Sequence, residues 1–521
     1  MTSTVNAPAT TLDQPPSLDR SFFGHPRGLA TLFFTEMWER FSFYGLRPLL
    51  VLFMTAALAS GGFGFDPTEA SAIVGIYAAS VYLASLPGGW VADRLLGLRR
   101  AIQYGAVLIS AGHIAIALSA FARTKLPFFL GLILIVIGTG LLKPNISAIV
   151  GDLYPEGGAR RDAGFAIFYM GINLGATVGQ IVTGFLGEKI GWHWGFGAAG
   201  VGMLVGLVVY TLRAPKTLGS IGLYPTRDPD PVRQARQERN IKLTLAAGFG
   251  VLAIVIGLVA AGVLTLNAVP IAKAMAYVIL GCAALYFVYV FWLGSLQPDE
   301  KKRVGVIFIL FIFAVIFWAG FEQAPTSLNL FARDFTDRDI AGFEVPASWF
   351  QSVNSGFIVL LAPLFAALWV TLARRGVDFS SPAKFALGLF LAGIGFLMMI
   401  WAANIVVRGG PNTLVSPWWL VGSYFFQTLG ELFLSPVGLS SMTKLSPRKY
   451  VGQMMGIWFM ATSLGNLLAG LAGGYVDHTK PEQMPTVFTI TTVALLAASV
   501  VLALLIIPIR KMMAGTGSAT A

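Results

Sequence analysis

Long apolar runs broken by short polar stretches organise this chain. An α-helix needs about 17–25 apolar residues to cross the ~30 Å hydrocarbon core of a bilayer. Runs of that kind predict fourteen spans, near 29–58, 70–93, 101–121, 127–150, 162–187, 194–212, 243–266, 271–295, 304–331, 347–373, 384–405, 416–442, 450–475 and 485–509. The longest polar interruption is the basic stretch 213–242. An even number of spans puts both chain ends on one side.

Composition agrees with that pattern. Asp, Glu, Lys and Arg make up 12% of the 521 residues, about half of what soluble domains carry. Mean hydropathy is +0.73, so the expected class is an all-α, multi-pass membrane protein with the lipid bilayer as its solvent. The single cysteine, Cys282, excludes an intrachain disulfide and a cysteine metal cluster. No HExxH, nucleotide-binding loop or metal-ligand cluster is present, and the longest polar stretch is short for a catalytic domain. The expectation is a protein that is not an enzyme and carries no cofactor. Residues 1–28 and 511–521 read as disordered tails. The first lacks the basic and apolar regions of a cleavable signal.

Net charge is +11, and its placement matters. Of the 36 Lys and Arg, 25 fall at the two ends and in the loops on their side, and 8 in the opposite loops. The positive-inside rule then puts both termini in the cytoplasm. Because the excess is spread over many short loops, nucleic acid is not an expected partner. Three cations remain inside spans: Arg40, Arg47 and Lys143. A charge at the bilayer centre costs roughly 2.5–3.5 kcal/mol on insertion scales. Acids at similar depth are Glu36, Glu39, Glu322 and Glu431.

The first span holds four of these charges, in "EMWERFSFYGLR" from Glu36 to Arg47. At 100° per residue, Glu36, Glu39, Arg40, Tyr44 and Arg47 share an arc of about 140°. Met37, Trp38, Phe41 and Leu49 lie opposite. Such a stripe predicts a face turned to the protein interior, with mutual neutralisation as the purely structural alternative. Further polar groups sit in other spans: Tyr82, Lys143, Asn173, Trp318, Asn354 and Trp458. Lys143 precedes Pro144, which predicts a local break in that helix. Two cations, Arg40 and Lys143, with a separate acid, Glu431, match a zwitterion: carboxylate to the cations, ammonium to the acid. A short peptide would also expose amides to Asn173 and Asn354, and side chains to Trp318 and Trp458. Helix packing alone is the competing account of each Asn or Trp. A simple anion or a drug is the competing cargo.

The two halves of the chain resemble each other. "FYMGINLGATVGQIVTGF" (168–185) aligns without gaps on "WFMATSLGNLLAGLAGGY" (458–475), and "GTGLLKP" (138–144) faces "GELFLSP" (430–436). Parallel repeats of this kind predict two helix bundles around a central cavity. The resulting division is 29–212 and 296–510 as six-helix bundles, 213–242 as a cytoplasmic linker, and 243–295 as an extra helix pair.

These residues carry a family resemblance. "EMWERFSFYG" resembles the first-helix signature of the proton-dependent oligopeptide transporters of the major facilitator superfamily. "GTGLLKPNIS" and "FYMGINLG" resemble that family's fourth- and fifth-helix motifs. "GGWVADRLLGLRR" is similar to the superfamily's loop motif. The resemblance runs from about residue 28 to 510, with the extra helix pair of the bacterial branch.

It implies a major-facilitator fold of fourteen spans in a bacterial inner membrane. The implied activity is proton-coupled import of di- and tripeptides by alternating access, by a protein working as a monomer. Roles follow by the same resemblance. Arg40 and Lys143 would hold the peptide carboxylate, and Glu431 with Asn173 and Asn354 its amino end. Tyr44, Tyr82, Trp318 and Trp458 would line side-chain pockets. Arg47 and Glu322 would form a latch between the halves, and Glu36 and Glu39 would take part in proton coupling. Phe43 departs from the tyrosine of many members. The helix-two histidine of animal members is absent, so carboxylates are expected to handle the proton.

Overall fold

The computed structural model describes residues 19–226, 229–375, 379–410 and 412–513. The expected N-terminal tail lies outside these up to residue 18, and the C-terminal one from 514. The helices are α1 (Arg27–Thr55), α2 (Pro67–Val91), α3 (Leu98–Ala122), α4 (Lys125–Asp152), α5 (Gly158–Phe185), α6 (Trp192–Thr217), α7 (Pro231–Ala260), α8 (Ala268–Trp292), α9 (Pro298–Phe321), α10 (Asn329–Phe335), α11 (Phe350–Arg374), α12 (Ser381–Gly409), α13 (Trp418–Leu445), α14 (Val451–Gly473) and α15 (Met484–Met513). A π-helical turn, Ala324–Leu328, joins α9 to α10. A minimal antiparallel hairpin, β1 (Asp339–Ile340) with β2 (Phe343–Glu344), follows.

Twelve of these helical stretches are long and apolar enough to cross a membrane. Two more, α1 and α13, match them in length with 29 and 28 residues. They are more polar because α1 carries Glu36, Glu39, Arg40 and Arg47, and α13 carries Gln427, Thr428 and Glu431.

Local chemistry explains several starts. Pro67 opens α2 behind Asp66, whose carboxylate accepts from the Thr68 amide. Asp230 and Pro231 open α7 in the same way. Both pair an N-cap acid with a proline that needs no amide partner. That second signal lies inside the stretch expected as linker, so the linker is partly helical: α6 runs on to Thr217 and α7 begins at Pro231.

Packing divides the helices into two groups. In the first, α1 lies against α5 and α6, α3 against α4 and α6, and α2 against α4. In the second, α9 lies against α14 and α15, and α12 and α11 against α13. The groups meet through α2 on α14 and α5 on α11. Of the extra pair, α8 packs on α2 and α14, while α7 buries only Ile241 among the described residues.

The sequence repeat has a physical counterpart. A Cβ added at Gly175 of α5 would lie 2.1 Å from the Met37 carbonyl oxygen of α1. At the aligned Gly465 of α14 it would lie 2.4 Å from Cβ of Trp318 on α9. Each half thus lets its first helix approach the fifth through a missing side chain, as membrane helices do where small residues set the interface.

Two expectations need correction. α1 is buried on more than its charged stripe: Phe41 is 7% exposed and Leu49 is fully buried, because α5 and α6 flank the helix. And α4 is not broken at Pro144; it runs as one α-helix from Lys125 to Asp152. The proline leaves the Gly140 carbonyl without its amide. Gly88 of α2 packs so closely there that a Cβ would come within 2.0 Å of that oxygen. A neighbouring helix supports the weakened turn.

Gly175→Leu should cost about 1–3 kcal/mol, the range for overpacking a filled interface. Thermal unfolding of the detergent-purified protein measures it. Gly248→Ala on α7, where an added Cβ meets nothing, should leave the melting curve in place.

Candidate functional site

The charged stripe of α1 resolves into two ion-pair clusters at different depths. In the first, the Arg40 Nε lies 3.0 Å from a Glu36 oxygen and also pairs with Glu39. All three side chains are 3% exposed or less. Glu36 Oε2, Glu39 Oε1 and Arg40 Nη2 are buried without a hydrogen-bond partner among the described residues. The cluster therefore keeps a cationic donor and two carboxylate acceptors open. Lys143 of α4 is within electrostatic reach of Arg40, Glu36 and Glu39. Its ammonium sits 4.2 Å from the Tyr82 ring centroid, a cation–π distance.

The second cluster joins the halves. Arg47 Nη2 donates to Glu322 Oε2 at 2.5 Å, with both side chains almost fully buried. Glu322 is positioned by the end of α9: it is that helix's C-cap, just before the π-helical turn. The same Arg47 nitrogen donates to Asn466 Oδ1 of α14 at 3.3 Å. Between the clusters lies Phe43, its ring centroid 5.2 Å from the Arg40 guanidinium carbon and 5.7 Å from that of Arg47. The departure from tyrosine thus leaves a ring that two cations share. Tyr44 packs edge-on against Phe43 with centroids 5.2 Å apart.

The acid expected opposite the cations is on the second half. Asn354 Nδ2 of α11 donates to Glu431 Oε2 at 3.2 Å and to Thr428 at 2.9 Å. Glu431 is half-buried and within electrostatic reach of Tyr44 and Tyr169 on the first half. Asn173 uses its amide nitrogen on the Tyr169 carbonyl of its own helix, at 3.0 Å. It reaches Asn354 only indirectly. One turn on, Thr177 shares a 2.9 Å hydrogen bond with Ser355, the residue after Asn354. Trp318 and Trp458 are 8% and 6% exposed. Their rings pack edge-on at 6.5 Å, and Trp458 also meets Phe385. They are mostly interior packing, with little surface left to line a pocket.

The polar contacts between the halves lie at mid-depth and toward one end, the end reached by Thr55 of α1 and Phe335 of α10. There Asn329 donates to the Pro48 carbonyl at 2.7 Å, and Lys189 meets Glu344 at 2.7 Å. Both oxygens of Glu188 accept from the Ala347 and Ser348 amides, at 2.8 and 2.9 Å, at the entry to α11. Arg333 donates to Thr55. The Arg47–Glu322 pair, the expected latch, lies toward this end, the latch end, where the halves are in polar contact. Sequence reasoning missed Asn466, Glu188 and Asn329. Glu188, next to Lys189 at the end of an apolar run, carried a weak signal; the two asparagines carried none beyond polarity.

Comparisons with known proteins now bear on this geometry. A family model described as the POT family matches residues 99–487. The chain is 48% identical over 497 residues to the peptide transporter YePEPT of Yersinia enterocolitica, covering 95% of this chain and 97% of that one. It is 38% identical over 457 residues to a di-/tripeptide transporter of Lactococcus lactis subsp. cremoris, covering 85% and 88%. It superposes with a TM-score of 0.88 on a crystal structure of peptide transporter POT in complex with sulfate. That structure is 40% identical, with 97% of this chain and 100% of that one covered.

Breaking the inter-half pair from one side should cost more than removing it. Glu322→Ala strands a buried guanidinium and is expected to destabilise the protein by about 3–5 kcal/mol. Adding Arg47→Ala should recover most of that. Thermal unfolding of both single variants and the double variant measures the coupling.

Proposed function

The chain belongs to the POT family of membrane transporters, and within it we propose a proton-coupled symporter that imports di- and tripeptides by alternating access. The observation that carries the reading is the separation of charge. Two cations, Arg40 and Lys143, belong to the first half, and one acid, Glu431 held by Asn354, belongs to the second. A peptide's carboxylate and ammonium lie one to three residues apart and would bridge the two halves. A simple anion would leave Glu431 without a use. The relatives' names as peptide and di-/tripeptide transporters agree.

In this reading Arg40, through the open Nη2, and Lys143 take the carboxylate. Glu431, with Asn354 and Asn173, takes the amino end. Tyr44 and Tyr82 wall the side chains, with a smaller part for Trp318 and Trp458. All fourteen long helices span, α1 and α13 included, since their polar groups face protein. The 25-to-8 bias of Lys and Arg places both termini in the cytoplasm. The closed latch end is then periplasmic, and the conformation is inward-facing in a bacterial inner membrane. The protein works as a monomer, with protons as the coupling ion and no other cofactor.

Proton coupling follows from the latch. The Arg47–Glu322 attraction holds the periplasmic end shut. A proton arriving on Glu322 removes its charge and with it the attraction, so the equilibrium shifts toward the outward-open state. Glu36 and Glu39 compete with the peptide carboxylate for Arg40. Protonating one of them frees the guanidinium for substrate, which links proton and peptide binding. One pH unit supplies about 1.4 kcal/mol per proton. A potential of 100 mV adds about 2.3 kcal/mol per charge. Both drive uptake.

Proteoliposomes with an imposed inward proton gradient test this. Labelled di- and tripeptides should accumulate against their gradient, competed by unlabelled peptides and not by amino acids or nitrate. Glu322→Gln should abolish accumulation while peptide counterflow persists; uphill uptake by that variant would sink the latch. Lys143→Ala should weaken peptide binding by about tenfold or more, as expected for loss of one charge-assisted contact. Unchanged affinity would remove Lys143 from the site.

A further inference from the structure

A cavity of about 600 Å³ lies outside the bundle interior at the latch end, between the extra helix α8 and helices α9, α14 and α15. Its volume is within the ~300–1,000 Å³ of small-molecule sites. It opens toward the surroundings of the helix bundle: Ile490 is 63% exposed and Tyr475 48%. Val315, Ile316, Leu468 and Leu471 give it an apolar wall. One charged side chain lines it, Lys273, which is exposed and forms no ion pair among the described residues. No acid lines it. Lys273 lies in the second turn of α8, near the end of the helix that faces the latch end.

One buried group in the cavity wall lacks a partner. Gln323 is 2% exposed. Its amide nitrogen donates to the Ala319 carbonyl at 3.2 Å and to Thr491 at 3.0 Å. Those two bonds fix which way the amide points. The Gln323 oxygen is left buried with no donor among the described residues, a state that costs about 1–3 kcal/mol.

We propose that this crevice binds an anionic phospholipid with a hydroxylated headgroup, of the phosphatidylglycerol class, from the leaflet at the latch end. The apolar wall takes an acyl chain, Lys273 takes the phosphate, and Gln323 accepts from a headgroup or glycerol hydroxyl. A single cation with no acid selects net negative charge, which disfavours zwitterionic lipids. The open acceptor selects a hydroxyl over a bare phosphate. Because Gln323 follows the latch residue Glu322, an occupied crevice also stiffens the turn that carries the latch.

Native mass spectrometry of the purified full chain, with phosphatidylglycerol, phosphatidylcholine and phosphatidic acid of matched acyl chains, tests the assignment. Phosphatidylglycerol adducts should exceed phosphatidylcholine about fivefold, the effect of one lysine worth ~1 kcal/mol. Lys273→Gln should bring that ratio close to one. Lys125→Gln, an exposed lysine at the same end, should not change it. Equal binding of phosphatidylglycerol and phosphatidylcholine by wild type, or an equal effect of both lysine variants, overturns the site. Phosphatidic acid binding as well as phosphatidylglycerol overturns the role of Gln323. Replacement of lipid by a second copy of the chain, read as dimer mass without adduct, overturns the lipid occupant. Unchanged size-exclusion profiles of both variants exclude misfolding as the cause.

Discussion

A charge in hydrocarbon must find an opposite charge or water, and the arrangement of this molecule follows from that demand. Arg40, Arg47 and Lys143 are expensive where they sit. Arg40 is neutralised within its own helix by Glu36 and Glu39. Arg47 has no acid of its own helix on it and reaches across to Glu322 of the other half. That difference separates a local cluster, satisfied within one helix, from a bridge between the halves, which can only be made or broken. A bridge of that kind suits a bistable element between two rigid bodies.

Rigid bodies are what the glycine contacts supply. Gly175 and Gly465 bring α5 to α1 and α14 to α9 at backbone distance. Close backbone packing tolerates little internal slippage, so a change of state is directed to the seams between the halves, α2 on α14 and α5 on α11. The polar contacts at those seams are sparse. Thr177 with Ser355 and Ser463 with the Ala79 carbonyl lie at mid-depth, and the denser set lies at the latch end. The weaker end is the one free to open in this state.

The extra pair α7 and α8 stands apart from this machinery. α7 buries almost nothing, while α8 touches α2 and α14 and packs Phe287 against Phe308 and Phe311 of α9. Its placement creates a crevice against α9 and α15, and the buried Gln323, one residue from Glu322, lies in the wall of that crevice.

The charged stripe of α1 was legible because a helix has one local period: spacing alone puts Glu36, Glu39, Arg40, Tyr44 and Arg47 on one arc. The internal repeat was legible because the same close approach demands glycine at the same place twice. Membrane residence and the bias of basic loops were legible from composition. Pairing was a matter for tertiary structure. Asn466 and Glu188 look in sequence like many other polar residues of apolar helices, and become latch and seam groups only when another helix meets them. Trp318 and Trp458 read as pocket walls, and their buried rings also pack on Phe317, Phe321 and Phe385; helix spacing does not reveal the contact with Phe385. Pro144 read as a break and was tolerated, because Gly88 of a neighbouring helix supports the turn. The sequence by itself determined which residues share a helix face. Which faces meet, and so which charges are partners and which are left open for a substrate, was decided only by the packing of helices far apart in the chain.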